Sequence, residues 1–249
     1  QPVTVGDIEK MSKSKKNVVA PQEIVDQYGV DAGRLFVLSD SPPERDVQWT
    51  AGGLEGAGRF VQRVWVEVDG FPSETEVSAV GDDAESLALR RATHKAIKAV
   101  TEGVEGFHFN AAIARLYEYL NTLRAVQTGA ASPALWAAKH DGLVALTLLI
   151  QPFVPHLAEE CWERLGQSGL AVNAPWPVFD PALAMDDQVV LPIQVNGKRR
   201  GELSVARGLA PAEVEQIALA DAEVQSKLEG LSVRKIIVVP DRIINIVTG

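Results

Sequence analysis

Cysteine and histidine are both scarce in this sequence, which contains one cysteine and four histidines among 249 residues. The single Cys161 excludes a disulfide within the chain and a zinc site made of several cysteines. His156 stands one helical turn before Glu159 and Glu160, as in zinc-binding helices, but no second histidine lies near it. We therefore interpret His156 as a residue at a helix start, predict no metal site, and expect a reducing, cytoplasmic location.

Long apolar runs are also missing. The longest candidate, residues 142–153, is interrupted by Pro152 and falls short of the roughly 18 apolar residues that indicate a membrane-spanning helix. No segment resembles a signal peptide. We expect a soluble protein that has no membrane partner.

Positive charge is in deficit, because 24 Lys and Arg residues against 33 Asp and Glu residues give a formal net charge of −9. Such a chain has no overall basic field that would hold nucleic acid, so any RNA contact must come from local patches. Residues 131–186 contain two basic and six acidic residues, whereas residues 187–249 contain eight of each. The last segment is therefore the relatively more cationic one.

The sequence also lacks an initiator methionine, since it begins with Gln1. The residues that follow, Pro2–Asp7, have the pattern of a strand and a turn in the middle of a fold. We expect the chain to be a piece of a larger protein.

Helical patterns dominate residues 21–165. Pro21 and Gly29 predict the start and the stop of a short first helix, and Asp31 is expected to cap a second helix that ends at Ser41–Pro43. Further helices are predicted over about 54–68, 83–103, 109–128, 133–151 and 155–165, with start signals at Asn110, Ser132 and Pro155 and a surface loop at 70–82. Several helices with short connections indicate a bundle.

The glycine-rich stretch at residues 52–58 is a possible phosphate-binding loop. It lacks the Gly-Lys-Ser/Thr ending of such loops, and no strand clearly precedes it. We predict instead a loop that enters the helix beginning near Leu54.

From Gln188 onward the apolar period changes from helical to two. Asn196–Gly197 predicts a hairpin turn, and the flanking segments predict strands over 188–195 and 199–205. A helix over 211–219 and strands over 233–239 and 243–247 complete a small α+β domain. The fold class is therefore multidomain and mainly α, with a loop and connecting helices at 1–50, a helical bundle at 51–172, a proline-containing linker at 173–186 and the small α+β domain at 187–249.

One short segment, Lys10–Ser14, brings together two lysines and two serines. Lysine ammonium groups act as movable point charges and serine hydroxyls donate to phosphate oxygens, so the segment suits a loop that closes over a polyphosphate. A solvated surface loop, or a basic patch for localisation or nucleic acid, is the alternative from composition alone. Lys198, Arg199 and Arg200 form a second basic group directly after the hairpin turn, and it is either a solvated surface or a phosphate contact.

The letters of Lys10–Ser14 spell KMSKS, and this segment resembles the signature loop of class I aminoacyl-tRNA synthetases. Residues 10–17, Pro21, residues 28–31 and residues 34–36 are similar to the leucine enzymes of that class. The valine and isoleucine enzymes more often continue the signature with Leu-Gly-Asn. Lys16 departs from the asparagine that leucine enzymes tend to have there, but it lies outside the five-residue core.

The resemblance extends over essentially the whole chain. Residues 53–65 are similar to the helix that enters the anticodon-binding bundle of the leucine enzymes, and residues 151–156 and 173–177 to the last break and the exit of that bundle. Residues 195–198 and 233–235 resemble the small carboxy-terminal domain of bacterial leucyl-tRNA synthetases. No His-Ile-Gly-His-like motif, nucleotide-binding sheet or editing domain is found, so the resemblance implies the final quarter to third of the enzyme.

The resemblance implies a reaction of leucine with ATP to leucyl-adenylate, followed by transfer to tRNA(Leu). Lys13 would carry most of the catalytic role with support from Lys10, and Lys10, Met11, Ser12, Lys13 and Ser14 would contact ATP, which Mg²⁺ accompanies. Leucine and ATP would bind through an N-terminal catalytic domain, and this chain alone would bind neither and catalyse nothing. The body of the tRNA would contact five basic residues of the last domain, Lys198, Arg199, Arg200, Arg234 and Lys235. These residues would not read the anticodon bases. We expect a monomer.

Two alternatives stay open at this point. One is the matching part of a valyl- or isoleucyl-tRNA synthetase, which would differ from this chain in its carboxy-terminal domain. The other is a tRNA-binding module that acts alone without catalysis. An assay of ATP–pyrophosphate exchange distinguishes such a module from an active enzyme.

Overall fold

The structure is a computed structural model that describes residues 9–72, 83–126, 131–185, 188–228 and 230–249. The chain divides into two compact units, Gln1–Ala184 and Met185–Gly249. The strand and turn expected at residues 2–7 lie outside the described residues, as do residues 73–82 of the surface loop predicted at 70–82. None of the helices within the described ranges is both long and apolar enough to cross a membrane.

The first unit is helical, as the sequence pattern predicts. Its helices are α1 (Pro21–Tyr28), α2 (Val30–Asp40), α3 (Ala51–Asp69), α4 (Ala84–Glu105), α5 (Phe109–Ala125), α6 (Pro133–Ile150), α7 (Pro155–Arg164) and the short α8 (Pro181–Ala184), with a 3₁₀ turn at Ala171–Asn173 before α8. Helices α1 and α7 start at a proline, where the missing N–H costs nothing. Ser132 caps α6 by accepting from the backbone N–H of Leu135.

One hydrophobic core joins α2 to α7 in this unit. Its largest fully buried side chains include Phe36, Phe60, Leu116, Leu143 and Phe153. The buried hydroxyl of Tyr119 lies within hydrogen-bond distance of Thr93 Oγ1 (2.8 Å) and the Gly142 carbonyl (3.0 Å), so α4, α5 and α6 share a satisfied polar contact inside the core. Because Ala32, Leu35 and Phe36 belong to the same core, α2 packs directly on the bundle.

Three local expectations for this unit are wrong. The helix of the glycine-rich stretch starts before Leu54, because α3 begins at Ala51 and the side chain of Thr50 caps it by accepting from Gly53 N–H. Asp31 does not cap α2, whose N-cap is Gly29; its carboxylate is directed to another helix. Asn110 does not start α5, which begins one residue earlier without a side-chain cap.

Much of the segment expected as a linker packs on the helical unit. The Trp176 indole N–H donates to Thr101 Oγ1 (2.8 Å), and Trp176 and Phe179 rest against the core. The Asp180 backbone N–H donates to Nδ1 of His94 (2.9 Å). The prolines of this segment stop regular helices, but Trp176 and the Asp180 backbone attach it to α4.

The second unit is a four-stranded sheet covered on one face by two helices. Its elements are β1 (Gln188–Val195), β2 (Lys198–Ala206), α9 (Pro211–Ala220), α10 (Ala222–Leu228), β3 (Val233–Val239) and β4 (Ile243–Thr248). Helix α10 was not predicted. Asn196 and Gly197 both have positive φ (50° and 79°), as the two-residue hairpin turn between β1 and β2 requires.

The strand order in this sheet is β2-β1-β4-β3. β1 pairs antiparallel with β2 and parallel with β4, and β3 pairs antiparallel with β4. Apolar residues of the strands and of α9 and α10 form the core of the unit, including Leu191, Ile193, Val214, Leu228 and Ile244. Strands β2 and β3 are therefore the two edges of the sheet.

Candidate functional site

A turn holds the Lys10–Ser14 segment in a defined shape. The backbone N–H of Lys15 donates to the Ser12 carbonyl and that of Lys16 to the Lys13 carbonyl, both at 3.2 Å. Lys16 ends the turn with φ at 53°, in the left-handed region. The lysines and serines of the segment thus lie on and beside one tight turn.

Asn17 ties the two ends of this loop together. Its Oδ1 accepts from Ser12 N–H at 2.8 Å, and its Nδ2 donates to the Lys10 carbonyl at 3.4 Å. Asparagine suits this role because its side chain offers both an acceptor and a donor. Sequence reasoning did not assign this role to Asn17, although short polar side chains that bond nearby backbone are a known local signal.

The loop lysines differ in their charge environment. Lys15 Nζ lies 2.8 Å from Glu9 Oε2, and both side chains are about half exposed. Lys10 and Lys13 are exposed, and neither ammonium group has a hydrogen-bond or ion-pair partner among residues 9–72 or the other described ranges. The positive charges of Lys10 and Lys13 therefore remain uncompensated, as does that of the exposed Lys16 at the end of the turn, whereas Glu9 offsets that of Lys15.

The hydroxyls of the loop complete a phosphate-compatible surface. Ser12 Oγ and Ser14 Oγ lie 3.2 Å apart, and Ser12 Oγ also accepts from Lys15 N–H at 3.3 Å. Met11 is 39% exposed and carries no charge. The structure thus groups the five predicted ATP-contacting residues on one exposed loop directly before α1.

The predicted tRNA-contacting residues fall on the two edges of the second unit's sheet. Lys198, Arg199 and Arg200 are exposed on β2, and Arg234 and Lys235 are exposed on β3. Arg199 forms an ion pair with Glu202. Because β2 and β3 are separated by β1 and β4, the five residues form two cationic edges rather than one patch.

A cationic groove between α1 and α3 is a feature that sequence reasoning missed. It has a volume of about 670 Å³ and is lined by Gln27, Tyr28, Glu55, Gly58, Arg59, Val61, Gln62 and Arg63. Arg59 is exposed and lies 3.6 Å from Glu55, while Arg63 is half-buried. Arginines spaced at i and i+4 on one helix face are a signal that could have found it.

The residues considered for metal binding serve other contacts. Glu159 accepts from the backbone N–H groups of Ala171 (2.8 Å) and Val172 (3.0 Å), and His156 Nδ1 lies 2.9 Å from Asp31. In the part of the chain that the structure describes, no group of His, Cys, Asp and Glu side chains is arranged to hold a metal ion. Burial raises the pKa of the Cys161 thiol to about 12, so Cys161 is a packed thiol and not a nucleophile.

Comparisons with known proteins agree on one family. Residues 87–216 match the family model of the anticodon-binding domain of tRNA ligase, and residues 3–50 match that of the class I tRNA synthetases (I, L, M and V). The leucine–tRNA ligases of Caulobacter sp. (strain K31) and Phenylobacterium zucineum (strain HLK1) are each 59% identical to this chain, over 249 and 252 residues. Each comparison covers 100% of this chain and 29% of the relative, so the chain spans less than a third of these relatives.

A solved structure is similar as well. It is the crystal structure of the ternary complex of Agrobacterium radiobacter K84 agnB2 LeuRS-tRNA-LeuAMS, with a TM-score of 0.77 and 33% sequence identity. The similarity covers 96% of this chain and 31% of that chain. Both the leucine–tRNA ligases and this solved structure are thus similar to this chain along nearly its whole length.

Proposed function

Because the chain belongs to the leucine–tRNA ligases of class I, we propose that the intact protein activates leucine with ATP and transfers it to tRNA(Leu). This chain supplies the Lys10–Ser14 loop, the anticodon-binding bundle and the small α+β unit. The observation that carries the proposal is the loop itself, where Lys10 and Lys13 present uncompensated charges on a turn held by Asn17. The proposal also includes a cytoplasmic location and a monomeric state of the intact protein.

The loop acts on the first step of the reaction. As the leucine carboxylate attacks the α-phosphorus of ATP, negative charge grows on the departing pyrophosphate. A positioned ammonium group stabilises this developing charge more than it stabilises the bound substrate, and only such differential stabilisation lowers the barrier. We assign this role chiefly to Lys13, with support from Lys10, while Ser12 and Ser14 donate to phosphate oxygens.

Mg²⁺ enters with ATP as part of the substrate. Near the loop, the carboxylate of Glu9 is paired with Lys15. The loop therefore contributes positive charge and hydroxyl donors to the phosphates, and its residues do not bind the cation.

The tRNA contacts are proposed on the cationic surfaces. Lys198, Arg200, Arg234 and Lys235 are exposed at sheet edges, and Arg59 and Arg63 line the α1–α3 groove. Cations on exposed elements contact phosphate and sugar, so these contacts should weaken with salt and depend little on base identity. The similar solved structure is a complex that contains tRNA, which supports this proposal.

The test replaces Lys13 by alanine in the full-length ligase. Leucine-dependent ATP–pyrophosphate exchange should lose on the order of 10²-fold or more in kcat, the typical cost of removing one charge stabiliser, while KM for leucine changes little. Lys15→Ala is the matched control, because Lys15 is in the same loop but is offset by Glu9. Near-normal exchange by the Lys13 variant, or an equal loss in the control, would contradict the proposed role.

A further inference from the structure

Helix α2 contains a buried carboxylate that does not cap its own helix. Asp31 is 7% exposed and lies in the first turn of α2. Its Oδ2 accepts from the Leu157 backbone N–H at 2.8 Å, and its Oδ1 lies 2.9 Å from His156 Nδ1. A buried carboxylate needs such partners, because burial without them is costly.

The helix that receives this carboxylate has no side-chain cap of its own. The N-cap of α7 is Val154, and Pro155 follows it without an N–H. The first N–H groups of a helix have no intrahelical acceptor, and an anion at this end is favoured by the helix dipole. Asp31 therefore serves as the cap of α7 from a distance of 126 residues in the sequence.

Arg34 makes a complementary contact one turn further along α2. Its Nη2 donates to the Pro152 carbonyl at 3.0 Å, in the corner between α6 and α7. Asp31 thus binds the N-terminal end of α7, where the helix dipole is positive, and Arg34 binds a carbonyl that follows the end of α6. We call these two contacts the α2 clamp.

The clamp lies a short way along the chain from the catalytic loop. The loop is followed by α1, which begins at Pro21, and α1 is joined to α2 by Gly29 alone, whose φ is 83°. With so short a connection, the orientation of α2 on the α6–α7 corner sets where α1 and the loop emerge.

The α2 clamp fixes the orientation of α2 and is not needed to keep α2 attached to the bundle. Leu35 and Phe36 of α2 are at most 2% exposed in the core, and they would keep α2 on the bundle without any polar contact. Apolar packing is non-directional, whereas hydrogen bonds have preferred distances and angles. A variant without the clamp should therefore fold but hold the loop less accurately.

We propose that Asp31 and Arg34 are positioning residues, which set the place of the Lys10–Ser14 loop relative to the anticodon-binding bundle during leucine activation. This inference rests on the proposed function, because it assumes that the loop acts on ATP. In this proposal both residues act through the backbone of α1 and α2 rather than by contact with substrate.

The test uses the full-length ligase and a double-mutant cycle. Asp31→Ala should lower kcat of leucine-dependent ATP–pyrophosphate exchange by roughly 10-fold to 100-fold, since a displacement of about 1 Å far from the chemistry can cost that much. KM for leucine should stay nearly unchanged. Asp31→Asn should recover most of the rate, because its amide oxygen can still accept from Leu157 N–H. Rates are expressed per active site, so that partial unfolding does not count as a loss.

The decisive comparison places Asp31→Ala in the Lys13→Ala background. If Asp31 acts through the loop, its effect should shrink to about twofold or less there, since coupled residues are not additive. Arg34→Ala should behave in the same way. Asp40→Ala, at the exposed far end of α2 beside Ser41, is the matched control and should leave the rate unchanged.

The outcomes separate the two proposals. A full loss for Asp31→Ala in both backgrounds, or no loss in either, would overturn the positioning role while leaving the loop's function intact. A normal rate for Lys13→Ala alone would overturn the proposed function, and the positioning role with it.

Discussion

At the scale of single residues, Gly53 shows how α2 and α3 approach each other. A Cβ atom at this position would lie 2.4 Å from the Phe36 ring and 2.9 Å from the Thr50 hydroxyl that caps α3. Distances this short require the ring or the helix to move. The glycine is therefore needed for close packing, and the helix tolerates its poor propensity because the core compensates.

We predict that Gly53→Ala lowers the free energy of unfolding by about 1–3 kcal/mol, the usual cost of overpacking a core. Urea unfolding followed by circular dichroism measures it. Gly52→Ala is the matched control, because a Cβ atom there meets nothing within 4 Å. We expect the control to be neutral or more stable by roughly 0.5 kcal/mol. Equal stability of both variants would show that the Phe36 contact can relax.

At the scale of elements, the segment that follows the 3₁₀ turn is attached chiefly by an aromatic side chain that also donates a hydrogen bond to the bundle. Trp176 is half-buried on the bundle and donates its indole N–H to Thr101 on α4. Val178, two residues later, is 85% exposed. Trp176 thus contributes to the attachment of the segment, whereas the exposed Val178 does not.

We predict that Trp176→Ala destabilises the helical unit by about 2 kcal/mol, less than a fully buried tryptophan would cost. It should also open residues 173–185 to cleavage, which limited proteolysis with fragment mass analysis detects. Val178→Ala should change neither the stability nor the cleavage pattern. Protection of the segment in the Trp176 variant would mean that Phe179 and the Asp180–His94 contact suffice to hold it.

At the scale of the whole molecule, the two units have separate cores and different compositions. The first core is built mainly by helices, and the second joins a sheet to α9 and α10. Each unit can therefore be removed or altered without cutting through the core of the other. This separation makes a deletion of the second unit a clean test of its role.

We predict that deleting residues 187–249 from the full-length ligase impairs charging of tRNA(Leu) but spares leucine-dependent ATP–pyrophosphate exchange. The reason is that the cations of this unit are proposed to meet tRNA, whereas the loop is in the other unit. Lys198→Ala with Arg200→Ala should raise KM for tRNA and flatten its salt dependence. Lys227→Ala, an exposed cation on α10, is the control. A deletion variant that charges tRNA at the normal rate would contradict this role.

Much of the fold could be predicted because its signals are local. Pro21 and Gly29 delimit α1, Ser132 caps α6, and Asn196–Gly197 forms the hairpin turn, each through neighbours a few residues away. The loop was recognised in the same way, from five adjacent residues. The start of α3 was predicted too late because the glycines at its beginning have poor helix propensity, which packing against Phe36 overrides.

The sequence by itself determined most of the local elements, the Lys10–Ser14 signature and the family, since each is written in a short run of residues. Only the tertiary structure decided which groups meet across the chain: Asp31 with the start of α7, Trp176 with Thr101, and β1 with β4 in parallel. The physical reason is that these partners are brought together by burial of two separate cores, which is non-directional and leaves no mark in the residues between them.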